Sequence, residues 1–228
     1  MKLKWDSLLT STLVVCALTT TALVVRREFF ASRNVAAQSV PQNPVFIQAW
    51  RSQLGKGARM GADAGRVQVL EFADFECPFC GNFHRTLKSI EAKYPSQIGV
   101  TYVHFPIAGH RFAIPAARVA ECANDQGRFE AMYDALFEGQ DQFGLKPWDD
   151  YATAAGAPDI AAFDACIKKT DPIPRVEEGK ALGAKLDVKG TPTIIINGWK
   201  LATPPTEQEL DQMVQRILAG KSPVDQKS

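Results

Sequence analysis

The hydrophobic pattern divides the chain into two stretches of different kind. Residues Leu8 to Val25 (LLTSTLVVCALTTTALVV) carry no charge and lie between Lys2 and Lys4 on one side and Arg26 and Arg27 on the other. As a helix rising about 1.5 Å per residue, this stretch reaches roughly 27 Å, close to the ~30 Å of a hydrocarbon core. The expected reading is an uncleaved single-pass transmembrane helix over 8–25, preceded by a short cytoplasmic tail, 1–7. A cleaved signal peptide is the rival, and a buried helix of a soluble body is the third reading. The signal-peptide site that fits, Val35-Ala36-Ala37, follows the charged run RREFFASRN, an awkward lead-in to cleavage. Both flanks are basic, so charge asymmetry does not fix the orientation. Residues 26–45 are polar, include Pro41 and Pro44, and read as a linker.

From residue 46 to 222 the periods are those of an α/β domain, with a tail over 223–228. Phe46, Ile47 and Trp50 predict a short amphipathic helix closing on Gly55 and Gly57. Val67 to Phe75 (VQVLEFADF) is apolar on both parities in part, as in a central strand buried on both faces. After Pro78, the residues Phe83, Leu87, Ile90 and Tyr94 recur at helical spacing. Ile98 to Ile107 predicts a second strand. Helical material fills about 113–168, with breaks near Gly127, Gly139 and Pro147, and a further helix spans Arg175 to Leu186. Thr193 to Asn197 predicts a strand, and Asn197-Gly198 a hairpin turn into a short strand, Trp199 to Ala202. Thr206 and Glu209 have capping-box spacing ahead of a helix that places Leu210, Met213, Val214 and Ile217 on one face and ends at Gly220. The order β-α-β, helical insertion, α-β-β-α implies a small mixed sheet covered on both faces.

Composition narrows the function classes. The 228 residues are 46% hydrophobic and 22% charged, with a net charge of +1 and no Lys/Arg run. A nucleic-acid footprint is therefore not expected. Of the five cysteines, Cys16 lies in the apolar N-terminal stretch and four lie in the body. Cys77 and Cys80 form a C-x-x-C that directly follows a predicted buried strand and opens a helix. Half a zinc site has the same spacing, but the sequence holds no second such pair to complete one. At a helix N-terminus the first sulfur faces unpaired N–H groups, which favour the thiolate, and the second sits one turn on, within reach of a mixed disulfide. Redox chemistry is the expected use.

The segment VLEFADFECPFC resembles the active-site strand and motif of the DsbA-like branch of the thioredoxin superfamily. Gly190-Thr191-Pro192-Thr193, ahead of the predicted TIIIN strand, resembles that superfamily's cis-proline loop. The likeness runs from about Val67 to Ala219. It implies a thioredoxin fold with a helical insertion at about 113–168. Cys77 becomes the exposed nucleophile and Cys80 the buried resolving thiol, with Pro78 in the motif. Pro192 becomes a cis residue beside the pair, and Thr191 offers its backbone to a substrate strand. Glu71 matches the family's buried acid. Alternation from Leu70 and Phe72 independently puts it on the opposite face, where a buried carboxyl would exchange protons with Cys80; a solvated edge glutamate is the plainer reading. Phe79 departs from the histidine of the best-known oxidant of this family, which puts a very low Cys77 pKa in doubt.

The remaining candidates carry less. His84 lies one turn after Cys80, where it would either couple to Glu71 or Cys80 or simply pack; His104 and His110 read as structural. Cys122 and Cys166 sit on insertion helices as a structural disulfide, two buried thiols or a shuttle pair, with the structural disulfide expected. The whole implies an extracytoplasmic protein thiol–disulfide oxidoreductase, most of all one forming disulfides in folding proteins. It needs no cofactor or metal, acts on protein thiols and disulfides as a monomer, and is recycled by an upstream partner in the membrane. A reductase or isomerase of specific clients, and a non-catalytic chaperone, are the alternatives.

Overall fold

The computed structural model describes residues 43–225. The tail, transmembrane helix and most of the linker expected before residue 43 lie outside the described residues. Within them, no helix is long and apolar enough to cross a membrane.

The body is built on a six-stranded sheet. The strands are β1 (Val45–Phe46), β2 (Ala58–Gly61), β3 (Val67–Ala73), β4 (Ile98–His104), β5 (Thr193–Ile196) and β6 (Trp199–Lys200), in the order β1-β6-β5-β3-β4-β2. β3 and β4 are parallel and joined through helix α1 (Pro78–Lys93); the other pairings are antiparallel. The insertion holds α2 (Ala113–Asn124), α3 (Phe129–Glu138), α4 (Trp148–Ala154) and α5 (Ile160–Ile167), and α6 (Pro174–Lys185) and α7 (Glu207–Leu218) follow.

β3 is central, and all seven of its residues are buried. Its alternation separates two cores. Val69 and Ala73 join the larger cluster with α1, the insertion and α7, whereas Leu70 and Phe72 pack with Val103, Leu182, Val188 and Ile195 on the other face. Glu71 shares the parity of Val69 and Ala73. It therefore points toward α1 and α3, fully buried.

The insertion breaks near Gly127 and between Gly139 and Pro147, where breaks were expected, and once more, where Gly156 adopts a positive φ of 69° and Asp159 caps α5 by accepting from the Ala162 N–H at 2.9 Å. Asn197 and Gly198 have φ of 46° and 91°, the left-handed pair of a tight hairpin. The capping box at Thr206 is present, with Glu209 Oε2 accepting from the Thr206 N–H at 2.8 Å.

Three expectations need correction. The amphipathic helix expected at Phe46–Trp50 is instead strand β1 followed by a 3-10 turn, Trp50–Gln53. Those apolar residues pack on the hairpin rather than along a helix. Phe46 tilts against Trp199 with ring centroids 5.2 Å apart, and a Cβ on Gly198 would lie 2.3 Å from the Trp50 ring. Val45, expected to end the linker, is paired with Lys200 in the sheet. β2 was not anticipated, because four residues containing Arg and Gly carry little strand signal; it pairs along β4, from Ala58–Tyr102 to Gly61–Gly99.

Candidate active site

The end of β3 and the start of α1 build the site. Cys77 caps the helix in an extended conformation and Pro78 takes the first helical position, where its missing N–H costs nothing. The turn is held from three directions. The Cys77 N–H donates to the Asp74 carbonyl at 3.0 Å, and the Cys77 carbonyl accepts from the N–H groups of Cys80 at 3.0 Å and Gly81 at 3.2 Å. Gln140, from the insertion, donates through Nε2 to the Phe75 and Cys77 carbonyls at 2.5 and 2.9 Å. A Cβ on Gly81 would stand 2.7 Å from Gln140 Oε1, so a larger residue there would push this clamp aside.

Both cysteines are free and buried, so Cys77 is not the exposed thiol expected of it, and the two differ sharply in proton affinity. The Cys80 thiol, donating toward the Cys77 sulfur, pulls Cys77 down to about 5 against the cost of burial; Thr191 and the backbone N–H groups of Cys80 and Phe79 add to this. Burial pushes the Cys80 thiol far up, reinforced by its bond to Cys77 and by the negative charge of Glu71. The low value for Cys77 arises without a histidine at position 79, since Phe79 is 67% exposed and supplies only apolar surface.

The cis peptide Thr191-Pro192 lies against the pair, where the Thr191 carbonyl accepts from Cys77 Sγ at 3.5 Å. Glu71, behind Cys80, is raised to about 8 by burial, partly offset by a hydrogen bond from the Tyr133 hydroxyl to Oε2 at 3.0 Å. His84 joins neither Glu71 nor Cys80. Its Nε2 meets Asp134 Oδ1 at 2.9 Å, and Lys88 binds the other Asp134 oxygen at 3.0 Å. His104 pairs with Glu121 at 2.9 Å, away from the thiols. Cys122 and Cys166 are bonded to each other, tying α2 to α5.

Sequence reasoning missed Asp74, Tyr133, Tyr102 and Gln140, and it gave His110 only a structural role. Asp74 is buried, its Oδ1 accepting from the Glu76 N–H at 2.8 Å and its Oδ2 from the Ile107 N–H at 2.8 Å and His110 Nδ1 at 2.7 Å. The one available signal was an aspartate three residues before the first cysteine, at the end of an apolar strand. Tyr133 and Gln140 reach the site through the insertion and leave no local mark in the sequence.

The chain belongs to the thioredoxin family, whose model matches residues 53–216. Its fold is that of the DsbA-like thioredoxin-fold proteins. BdbD of Bacillus subtilis superposes with a TM-score of 0.64 at 21% identity, over 73% of this chain and 95% of that one. The alpha-DsbA1 of Wolbachia pipientis gives 0.60 at 20% identity, over 71% and 90%. A thioredoxin-like oxidoreductase of Silicibacter pomeroyi gives 0.60 at 23%, over 74% and 96%. Among curated sequences, the chain is 34% identical over 135 residues to Na+/H+ antiporter NhaA 1 of Mycolicibacterium gilvum, covering 58% of this chain and 22% of that protein. It is 33% identical over 158 residues to NhaA 3 of Salinispora tropica, covering 67% and 23%. The chain spans about a fifth of the length of these relatives.

Proposed function

We propose that the chain is an extracytoplasmic protein thiol–disulfide oxidoreductase that transfers its Cys77–Cys80 disulfide to folding clients. The observation that carries this reading is a free Cys77–Cys80 pair opening one helix, with Cys77 at its N-terminus against the cis Thr191-Pro192 peptide and Cys80 fully enclosed. A Cys77 held as thiolate near neutral pH stabilises the reduced form, so the disulfide is a good electron acceptor. In the disulfide Cys80 is the fully enclosed sulfur, so the client reaches Cys77 at the helix start, and Cys80 leaves and takes up a proton. The free edge of the Thr191-Pro192 loop is the surface offered to an extended client segment.

The extracytoplasmic location is supported by the Cys122–Cys166 bridge, since structural disulfides persist in oxidising compartments, and by the uncharged stretch 8–25. The relatives named Na+/H+ antiporter support a membrane setting for a domain of this kind; their antiport is not proposed for this chain. In this reading a membrane redox partner reoxidises the pair, and the chain acts as a monomer.

The test is a glutathione redox titration of the purified chain, joined to thiolate absorbance against pH. The potential is expected between about −270 mV, as in thioredoxin, and about −120 mV, as in the strongest oxidant of this superfamily. A potential at or below the thioredoxin value makes the chain a reductase of specific clients. No exchange at all overturns the enzyme reading in favour of a chaperone.

A further inference from the structure

The two carboxyl oxygens of Glu71 have different surroundings. Oε2 accepts from the Tyr133 hydroxyl at 3.0 Å, while Oε1 is buried without a partner. Both side chains are enclosed, yet they come from separate parts of the fold: Glu71 from the central strand, Tyr133 from helix α3 of the insertion. The phenol ring is held by Phe137 at 5.0 Å, His84 at 5.2 Å, Tyr102 at 5.5 Å and Phe75 at 6.3 Å, all near edge-on, so its hydroxyl has one direction to point. An acceptor already occupied on Oε2 leaves Oε1 to carry the proton when the acid is neutral.

We propose that Tyr133 is a positioning residue for the proton that Cys80 gives and takes: it occupies Oε2, assigns the exchangeable proton to Oε1, and stabilises the carboxylate left after transfer. This rests on the oxidoreductase reading above. In the oxidising direction a client thiolate attacks Cys77 Sγ, and the Cys77–Cys80 bond breaks with its electron pair passing to Cys80. The buried Cys80 thiolate takes the proton from Glu71 Oε1. A second client thiolate then attacks the client sulfur of the mixed disulfide, closing the client disulfide and releasing the Cys77 thiolate. Solvent returns a proton to Glu71. In the reducing direction the Glu71 carboxylate accepts the Cys80 proton instead.

A neutral donor suits this two-way task. The groups facing Glu71 are Cys80 and Glu91 from α1, Tyr102 from its register partner position on β4, and Tyr133 from α3. Beyond them Lys88 is bonded to Asp134 and Glu91, and His84 to Asp134. A cation bonded to Glu71 would fix it as carboxylate; the phenol only moderates the effect of burial, leaving the acid at about 8.

The experiment mixes the reduced full chain with oxidised glutathione and follows, against pH, the release of glutathione from the Cys77 mixed disulfide by Cys80. The wild-type midpoint is expected near the Glu71 value. Tyr133→Phe keeps the ring and removes the donor, and should raise the midpoint by about one pH unit, a tenfold change in proton affinity. Glu71→Gln should erase the inflection, and adding Tyr133→Phe to it should change nothing further. An unmoved midpoint in Tyr133→Phe, or an equal shift in the Glu71→Gln background, overturns the proposal. The infrared carbonyl stretch of protonated Glu71 gives the same midpoint without turnover and must shift in the same sense. A chain that never forms the mixed disulfide overturns the oxidoreductase reading itself, whereas one that forms it and ignores Tyr133→Phe overturns only this inference.

Discussion

The body contains two cysteine pairs, and they have little in common beyond their element. Cys77 and Cys80 are separated by two residues at a helix start, are both free, and hold their protons with very different strength. Cys122 and Cys166 are 44 residues apart, lie on two insertion helices, and are bonded with Cα atoms 5.8 Å apart. Neither pair is widely exposed, so access alone does not separate them. The difference is local electrostatics. The first pair sits where backbone N–H groups and a neighbouring thiol stabilise one sulfur's charge while an enclosed carboxyl opposes the other's. The second pair sits in the last turns of α2 and α5, away from any helix N-terminus, where no backbone N–H groups stabilise a thiolate. Reactivity thus follows the local stabilisation of one thiolate, and a bridge is left alone where neither sulfur receives it.

The sharpest way to break this comparison is to exchange roles. Cys77→Ser should lower exchange with protein thiols by at least about a thousandfold, whereas Cys122→Ser with Cys166→Ser should leave it within about twofold, as read by catalysed insulin reduction or oxidation of a reduced client. Cys80→Ser should accumulate client mixed disulfides on non-reducing gels, and equal trapping by Cys77→Ser would reverse the assignment of nucleophile.

Stability should sort the pairs the other way. Opening the Cys122–Cys166 loop is expected to cost about 4 kcal/mol in the chain-entropy model for its span, measured by denaturant unfolding of the double serine variant. Reducing Cys77–Cys80 opens a loop of only a few residues, worth about 2 kcal/mol on the same account.

Glu71→Gln should stabilise the fold. A buried acid raised to about 8 from 4.5 binds its proton more tightly folded than unfolded, so stability falls as pH rises from 4.5 to about 8 and is then level. At pH 7 the gain from Glu71→Gln is expected to be about 3 kcal/mol, vanishing below pH 4. A variant less stable than wild type at pH 8 would contradict the burial of a neutral acid.

The smallest effect is expected at His110. Burial lowers its proton affinity, but the hydrogen bond and charge of Asp74, followed by Glu76 and Cys77, raise it above 6.5. Its contribution is therefore fully present below pH 6.5 and is lost as pH rises through the raised value. His110→Gln should cost under about 1 kcal/mol at pH 6 and nothing measurable in strongly alkaline buffer. Constant destabilisation across pH would assign His110 to packing alone.

These experiments concentrate on residues of unequal legibility. The strand at Val67, the helix opened by Pro78, the hairpin at Asn197-Gly198 and the cap at Thr206 were all readable, because each rests on neighbours in sequence. Glu71 was readable as buried because strand alternation needs only two flanking residues. Tyr133, Gln140 and Asp134 were not, since their partners lie 62, 63 and 50 residues away, and nothing local in α3 or the turn after it marks which side chains reach the strand end. His84 illustrates the same limit. Its helix face was read from spacing, but its bond to Asp134 depended on where the insertion folds back. The short edge strands failed for a different reason: β1 and β2 have two and four residues and take their conformation from the strands they border.

Phe79 has one more consequence. It stands between two enclosed sulfurs yet projects most of its side chain outward, while only its backbone N–H serves the Cys77 sulfur. Position 79 is therefore a site where evolution or an engineer can substitute freely without disturbing the scaffold. A basic residue there would add positive potential beside Cys77, and an acidic one would remove it, shifting the electron affinity of the pair in opposite senses. A panel of CPxC variants on this one scaffold would convert a single domain into a graded series of oxidants, each with the same helices, the same loop and the same clamp behind it.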